Sequence, residues 1–415
     1  MQCLLSAGEA SGDTYGAQLV ESLRQLAPGS TFFGMGGEKM RASGAELLVH
    51  ANEVAVVGLV EVLTHLPGIR RRFKHLVAEA ARRKPDAAIL IDFPDFNLRL
   101  ARELHRLGIP VFYFVSPQIW AWRTGRVQQI KKYVRKMIVI FPFEQEFYRR
   151  HGVEVSYVGH PLAYVPPPQI SREEFAAKHH LDPRKQWIAL LPGSRRKEVR
   201  LNLPTMVEAA RLLQKQSTEF EFLLPVASTL SLGCVSEQLE QMQGLKPGFI
   251  TAPNAALKGR SSTGSTSDLP RIHLTDNARA TLMHARAAVV ASGTATVEAA
   301  LSGTPFVVVY RLAPLTWILG RRLVKLDTFA MPNLIAGKKT VPELIQKDFT
   351  ATNVFKELNA IVPDGPARQQ MQSDLRMVQQ RLHDSQGAES PAQQAAREIV
   401  LSVEPGALNR GVESV

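Results

Sequence analysis

Short runs of β-branched and other apolar residues alternate with stretches whose apolar positions recur every three or four residues, and this alternation fills the first 160 positions. The apolar runs predict strands over 2–7, 87–92, 111–115, 137–141 and 154–158. Helical spacing predicts helices over 13–26, 69–83, 96–107 and 143–150, several closed by Gly or Pro just past the last turn. Strands separated by helices pair in parallel, so this region reads as a doubly wound α/β unit. Gly34, Gly36 and Gly37 read as a loop. Pro166-Pro167-Pro168 then makes a stiff connection without backbone donors, and polar sequence runs on to Trp187. The alternation restarts there, with strands over 187–191, 222–226, 287–291 and 306–310. After Val341 no further strand is expected.

The expected domains are therefore 1–165, an N-terminal Rossmann-like unit, and 170–350, a C-terminal Rossmann-like unit. Helices over 351–403 would pack back on the first unit, and 404–415 would form a flexible tail. Residues 258–268, dense in Gly, Ser and Thr, read as a surface loop.

Composition supports two domains without changing their outline. A chain of 415 residues exceeds the ~150 usual for one domain, and 45% hydrophobic with 21% charged residues is ordinary for a globular protein. Cys3 and Cys234 are too few and too far apart for a disulfide framework, which fits a reducing cytoplasm. The first seven residues lack the basic start of a secretion signal. The apolar stretch 107–122 is broken by two prolines and falls short of the ~20 residues that a membrane span needs.

Charge adds something the pattern does not show. Of the net +12, residues 62–136 carry +11, with sixteen Lys or Arg against five Asp or Glu. Such a window attracts nucleic acid, an anionic membrane or an anionic substrate, and it also describes plain solvated helix faces. The apolar segment 54–63 followed by Arg70, Arg71, Arg72 and Lys74 suits a membrane surface.

Candidate chemistry gathers where strands run into helices. In Leu190-Leu191-Pro192-Gly193-Ser194-Arg195, a strand ends in small residues and a cation at a helix start. Free N–H groups there favour a diphosphate and Arg195 adds charge-assisted bonds, unless this is a plain turn with Arg195 solvated. Ser292-Gly293-Thr294-Ala295-Thr296 makes a similar turn into the helix of Glu298, which either holds a ribose or complements the helix dipole. Gly8-Glu9-Ala10-Ser11-Gly12-Asp13 lacks dinucleotide-binding spacing, and its glycines would let an acceptor sugar or phosphate approach the backbone. Ile91-Asp92-Phe93-Pro94-Asp95-Phe96-Asn97 ends a strand with two carboxylates. Asp92 is the candidate general base and Asp95 the helix cap, the alternative being that both form the turn. Two carboxylates alone make a poor Mg²⁺ site, so no metal or other cofactor is expected. In Ser116-Pro117-Gln118-Ile119-Trp120-Ala121-Trp122-Arg123 the indoles suit either the core or an acyl chain or sugar face.

These motifs, together with Val57-Gly58-Leu59-Val60-Glu61-Val62-Leu63, Phe141-Pro142-Phe143-Glu144, Gly159-His160-Pro161 and Pro332-Asn333-Leu334, resemble in order the lipid-A-disaccharide synthase family. The resemblance spans residues 1 to about 340 and implies a GT-B fold, two Rossmann-like domains facing a central cleft. It implies an inverting glycosyltransferase that joins UDP-2,3-diacylglucosamine to 2,3-diacylglucosamine 1-phosphate and releases UDP. By motif, Asp92 would be catalytic and Glu9 and Ser11 would line the acceptor side. Gly193, Ser194, Arg195, Gly293, Thr294, Glu298 and Asn333 would bind UDP. The enzyme would be cytoplasmic and peripheral to an anionic inner membrane, with no nucleic-acid partner. Two features depart from the family pattern: Tyr164 stands where Asp is usual, and the loop at 258–268 is longer. Other readings are a cell-wall N-acetylglucosaminyl transferase, a sugar 2-epimerase, or a non-enzymatic protein that binds nucleic acid or membrane through the basic window.

Overall fold

Apolar runs of four to six residues bury both faces when they lie inside a parallel sheet covered by helices on each side. The computed structural model describes residues 1–54, 59–122, 124–227, 230–243, 270–311, 328–383 and 389–403, and it shows this arrangement twice. The chain divides into one unit of Met1–Tyr164 with Leu382–Val415 and another of Val165–Arg381.

The first unit holds β1 Gln2–Ala7, β2 Thr31–Gly36, β3 Glu46–His50, β4 Ala87–Ile91, β5 Val111–Phe114, β6 Lys136–Val139 and β7 Val155–Tyr157. They form one parallel sheet in the order β3-β2-β1-β4-β5-β6-β7. Successive residues face opposite layers. Leu4, Ala88 and Leu90 join the core on one face, whereas Cys3, Leu5, Ala87, Ile89 and Ile91 join the core on the other. That second face is completed by Ala395, Ala396, Ile399 and Val400 of the helix Pro391–Val403, which packs along the helix Ala10–Leu26. Burial pushes the Cys3 thiol up to about 12.

The second unit holds β8 Gln186–Leu191, β9 Phe220–Pro225, β10 Ile272–Thr275, β11 Ala287–Ala291, β12 Phe306–Tyr310 and β13 Glu343–Ile345. They pair in parallel in the order β10-β9-β8-β11-β12-β13. The helices Ala351–Ile361 and Pro366–Leu382 follow, so residues 351–403 are shared between the units instead of staying together.

Two sequence expectations are corrected. Gly34 and Gly36 lie in β2, not in a loop. Gly34 has a φ of +146°, and a side chain there would overlap the Leu5 carbonyl of β1, so glycine permits the close pairing of two strands. Strands also continue past Val341, because β13 adds a three-residue edge beside β12 that is too short to show periodicity. The loop at 258–268, Arg123, part of the segment 54–63 and the tail 404–415 lie outside the described residues.

Candidate active site

In open parallel sheets, ligands bind beyond the carboxyl ends of the strands where the order reverses, because the following helices diverge there. In the first sheet the reversal lies between β1 and β4, and in the second between β8 and β11. Each of the four turns singled out in the sequence follows one of these strands, so topology alone brings them together in pairs.

At the first reversal, β4 ends in two consecutive left-handed residues, Asp92 at φ +45° and Phe93 at φ +49°. Non-glycine residues there cost ~1–3 kcal/mol each and persist only when their surroundings hold them. The restraint is visible. Tyr113 donates its hydroxyl to the Asp92 carbonyl at 2.6 Å and the Asp92 amide donates to the Phe114 carbonyl at 3.2 Å. The fully buried Asn97 donates through Nδ2 to the carbonyls of Ser6, Ile91 and Asp92 at 3.2, 3.2 and 2.8 Å, and its Oδ1 accepts from the Ser6 hydroxyl at 2.6 Å. One amide side chain therefore ties the end of β1 to the end of β4. The Asp92 carboxyl is pushed up to about 6, first by burial and then by the negative charge of Glu9, against a hydrogen bond from the Phe93 amide.

Glu9 and Ser11 are exposed at the start of the helix Ala10–Leu26. Gly8 departs from the sequence expectation, since a side chain there would overlap the Phe93 ring. The space left by Gly8 is filled by Phe93 and does not open a path to the backbone. Gly12 likewise packs against Ala7 and Ile91, at 3.4 and 3.6 Å from where a Cβ would lie. Asp95 is not the helix cap: Phe93 takes that position without a side-chain bond, and Asp95 sits in the first turn paired with Arg126. The unexpected Asp13 accepts from the amides of Gly37, Lys39 and Met40 at 2.7, 3.1 and 3.1 Å, fixing the start of the next helix.

Behind this turn lies a buried carboxyl that the sequence does not reveal. Glu144 accepts from the Trp120 indole at 3.2 Å and from the Phe141 amide at 3.3 Å. Burial pushes it up to about 8, opposed by hydrogen bonds from Trp120, Phe141 and Ser116 and helped by the charge of Asp92. The half-buried Trp120 meets Phe143 edge-on at 4.9 Å. His160, pushed down to about 3 by burial, lies 4.9 Å from Phe141. Tyr164 donates to the His383 carbonyl at 3.2 Å, a bond an aspartate could not donate.

The second reversal is more open. Gly193 has a φ of +126° and Gly293 a φ of +146°. Around Gly193, Glu198 closes the turn: its Oε2 accepts from the amides of Ser194 and Arg195 at 3.0 and 3.3 Å. The N–H groups expected to be free for a diphosphate are thus occupied by a glutamate one turn into the helix. The Arg195 guanidinium is 69% exposed and lies 3.6 Å from Glu198. Asn202, fully buried, donates to the Pro192 carbonyl at 2.9 Å.

Beside it, no described residue lies within 4 Å of where a Gly293 side chain would project. Thr294 is exposed, and Thr296 donates its hydroxyl to the Gly293 carbonyl at 2.7 Å. Glu298 is half-buried with its carboxyl raised by burial against the charge of Arg279, and that carboxylate has no hydrogen-bond or ion-pair partner among the described residues. Tyr310, at the end of β12, feels both Glu198 and Arg195, which places it at the same turn. Asn333 is buried and fully engaged. It donates to the Val341 carbonyl and Glu343 at 3.0 and 2.7 Å and accepts from the amides of Thr340 and Val341 at 2.7 and 2.8 Å. Its amide braces the loop before β13 and offers no free group to a ligand. Among the described residues, no three His, Cys, Asp or Glu converge as a metal site.

A model of the lipid-A-disaccharide synthetase family matches residues 3–400. A lipid-A-disaccharide synthase of Koribacter versatilis (strain Ellin345) is 51% identical over 401 residues, covering 96% of this chain and 98% of the relative. One from Acidobacterium capsulatum is 52% identical over 378 residues, covering 91% of each. Among solved structures, a UDP-GlcNAc 2-epimerase from Neisseria meningitidis bound to UDP-GlcNAc superposes with a TM-score of 0.58 at 12% identity, over 97% of this chain and 99% of that one. A calicheamicin glycosyltransferase gives 0.55 at 15% identity, over 99% and 98%. These likenesses show the GT-B fold.

Proposed function

The chain belongs to the lipid-A-disaccharide synthetase family and is a glycosyltransferase of lipid A synthesis, and from that premise we propose that it joins UDP-2,3-diacylglucosamine to 2,3-diacylglucosamine 1-phosphate with Asp92 as general base. The observation that carries the assignment of the base is the Asp92 carboxyl, raised to about 6 on a turn fixed by Asn97 and Tyr113. A carboxylate with a pKa near that value is ionised at pH 7 yet basic enough to take a proton as an alcohol attacks.

In this mechanism the 6-hydroxyl of the acceptor attacks the anomeric carbon of the donor. The bond from that carbon to the UDP oxygen breaks, and the hydroxyl proton passes to Asp92. The product is a β-1,6-linked disaccharide 1-phosphate. Glu9 and Ser11 stand on the same turn pair for the acceptor. On the second unit, the exposed Arg195 and the open Gly293 turn suit the diphosphate, where positive charge and amide dipoles stabilise the leaving group. The Glu298 carboxylate, without a hydrogen-bond or ion-pair partner among the described residues, suits the ribose hydroxyls. Asn333 contributes through the shape of its loop.

Replacing Asp92 by Asn tests the base. It should lower kcat by ~10²–10⁴-fold while UDP still raises the melting temperature as in the parent; near-parent turnover would refute the assignment. Robust turnover of UDP-N-acetylglucosamine without acyl chains would favour an epimerase or cell-wall transferase instead.

We also propose peripheral attachment to an anionic inner membrane. No helix among the described residues is long and apolar enough to cross a membrane. Leu66, Arg70 and Arg71 are exposed on the helix Leu59–Arg83, whereas Arg72 donates to Glu53 at 2.6 Å. Each basic residue near such a surface contributes ~1 kcal/mol. Arg70→Gln with Arg71→Gln should therefore weaken vesicle binding by roughly tenfold or more, and unchanged binding would refute this face.

A further inference from the structure

Apart from the two strand-end turns, the first unit carries a concavity of about 350 Å³ between the outer faces of the helices Pro94–Arg106 and Val127–Tyr133. Arg99 and Arg102 project from one wall, three residues apart and therefore on one helix face. Both are exposed, and neither has a carboxylate partner among the described residues. From the other wall comes Arg126, its guanidinium held in place by Asp95. Gln129 and Tyr133, one turn apart, add uncharged polar groups beside them. The nearby Glu103 pairs with Arg106, and among the described residues Asp95 is the one carboxylate lining the pocket, against three guanidinium groups.

Like charges gathered in a recess raise each other's energy and focus the field outward, which favours an anion at the mouth. Guanidinium groups arranged around a recess match the oxygens of a phosphoryl group through paired N–H bonds. Three groups in one pocket, instead of a track along the surface, suit a single phosphate better than a nucleic-acid backbone. The pocket wall also begins at Pro94, two residues after Asp92, so a ligand seated there lies beside the turn that carries the base.

We propose that this pocket is a phosphoryl subsite for a lipid, held by Arg99, Arg102 and Arg126. The inference rests on the transferase reading above, with the phosphoryl group coming either from the 1-phosphate of the acceptor or from a phospholipid headgroup.

The test uses the full-length enzyme with Arg99→Gln and Arg102→Gln together, and retention of the UDP-induced melting shift confirms that the fold is kept. One arm measures KM for the acceptor with and without its 1-phosphate. The other measures partition onto phosphatidylglycerol and phosphatidylcholine vesicles. A rise in KM of about tenfold or more for the phosphorylated acceptor alone, with kcat held, assigns the pocket to the acceptor. Loss of partition confined to phosphatidylglycerol assigns it to the headgroup. Parent values in both arms overturn the proposal. If the parent enzyme itself fails to couple the acylated sugars, the transferase reading falls, and the vesicle arm still decides whether the pocket binds phosphate.

Discussion

The turns after β1 and β4 and those after β8 and β11 occupy equivalent places in two sheets with the same reversal of order, yet the first pair is filled, whereas in the second Glu198 closes the Gly193 turn and the Gly293 turn is bare among the described residues. Phe93 fills the space over Gly8, and Asn97 binds three carbonyls across the gap. Among the described residues nothing lies over Gly293, and the carboxylate of Glu298 has no hydrogen-bond or ion-pair partner. The difference fits the roles proposed for each. A base needs a fixed position and partial loss of water to raise its pKa, which packing supplies. A site for a bulky charged nucleotide needs room and unsatisfied polar groups.

Changing the glycines breaks this contrast most severely. Gly8→Ala must displace Phe93, at a cost of ~1–3 kcal/mol for overpacking, and should lower both the melting temperature and kcat because Asp92 is the adjoining residue. Gly293→Ala meets no described neighbour but forces alanine to a φ that only glycine adopts readily, at ~1–3 kcal/mol. It should cost stability and UDP affinity while kcat at saturating donor is retained. Equal kcat losses in the two variants would mean that the filled and bare turns do not differ in role.

A smaller effect is expected at Glu198, whose carboxylate occupies amides that a diphosphate would use. Glu198→Gln removes a charge at the proposed diphosphate site and should tighten UDP several-fold, by ~1 kcal/mol, measured by calorimetry. Weaker binding would show instead that the glutamate orders the turn for the nucleotide.

The smallest change concerns Glu9. Because Asp92 is raised to about 6, first by burial and then by Glu9, kcat/KM should fall as pH drops through that value and Asp92 becomes protonated. Glu9→Gln removes the second cause and leaves the first, so the acid limb should move to lower pH by less than one unit. An unmoved limb would mean that Glu9 does not reach the base.

Much of this was legible along the chain. The runs at 87–91, 187–191 and 287–291 are apolar throughout, and 2–7 is so apart from Gln2 and Ser6, because strands covered on both faces have little polar side to show. The residues just past them are small or charged because close approach and chemistry both occur at strand ends. Asp92 could be picked out for that reason. The strands β2, β3, β10 and β13 were hidden, since glycine, edge position or brevity removes their periodicity.

The residues that give the site its properties left weaker traces. Glu144 looks like any first-turn glutamate, and its burial follows from Trp120 and Phe141, distant or irregular in sequence pattern. Asn97 sits in a helix whose polar positions are otherwise unremarkable, yet it reaches Ser6, ninety-one positions earlier.

The sequence by itself determined the two α/β units, the strand-end turns and the residues able to do chemistry, because these follow from local periodicity and from the conformations that Gly and Pro allow. Tertiary structure alone decided which turns meet, that Phe93 closes the Gly8 turn, that Glu198 covers the amides beside Gly193 and that Arg72 is tied to Glu53 while Arg70 and Arg71 stand free of carboxylates among the described residues. Strand order, desolvation and charge pairing depend on distances between residues far apart in the chain, and no local pattern encodes those distances.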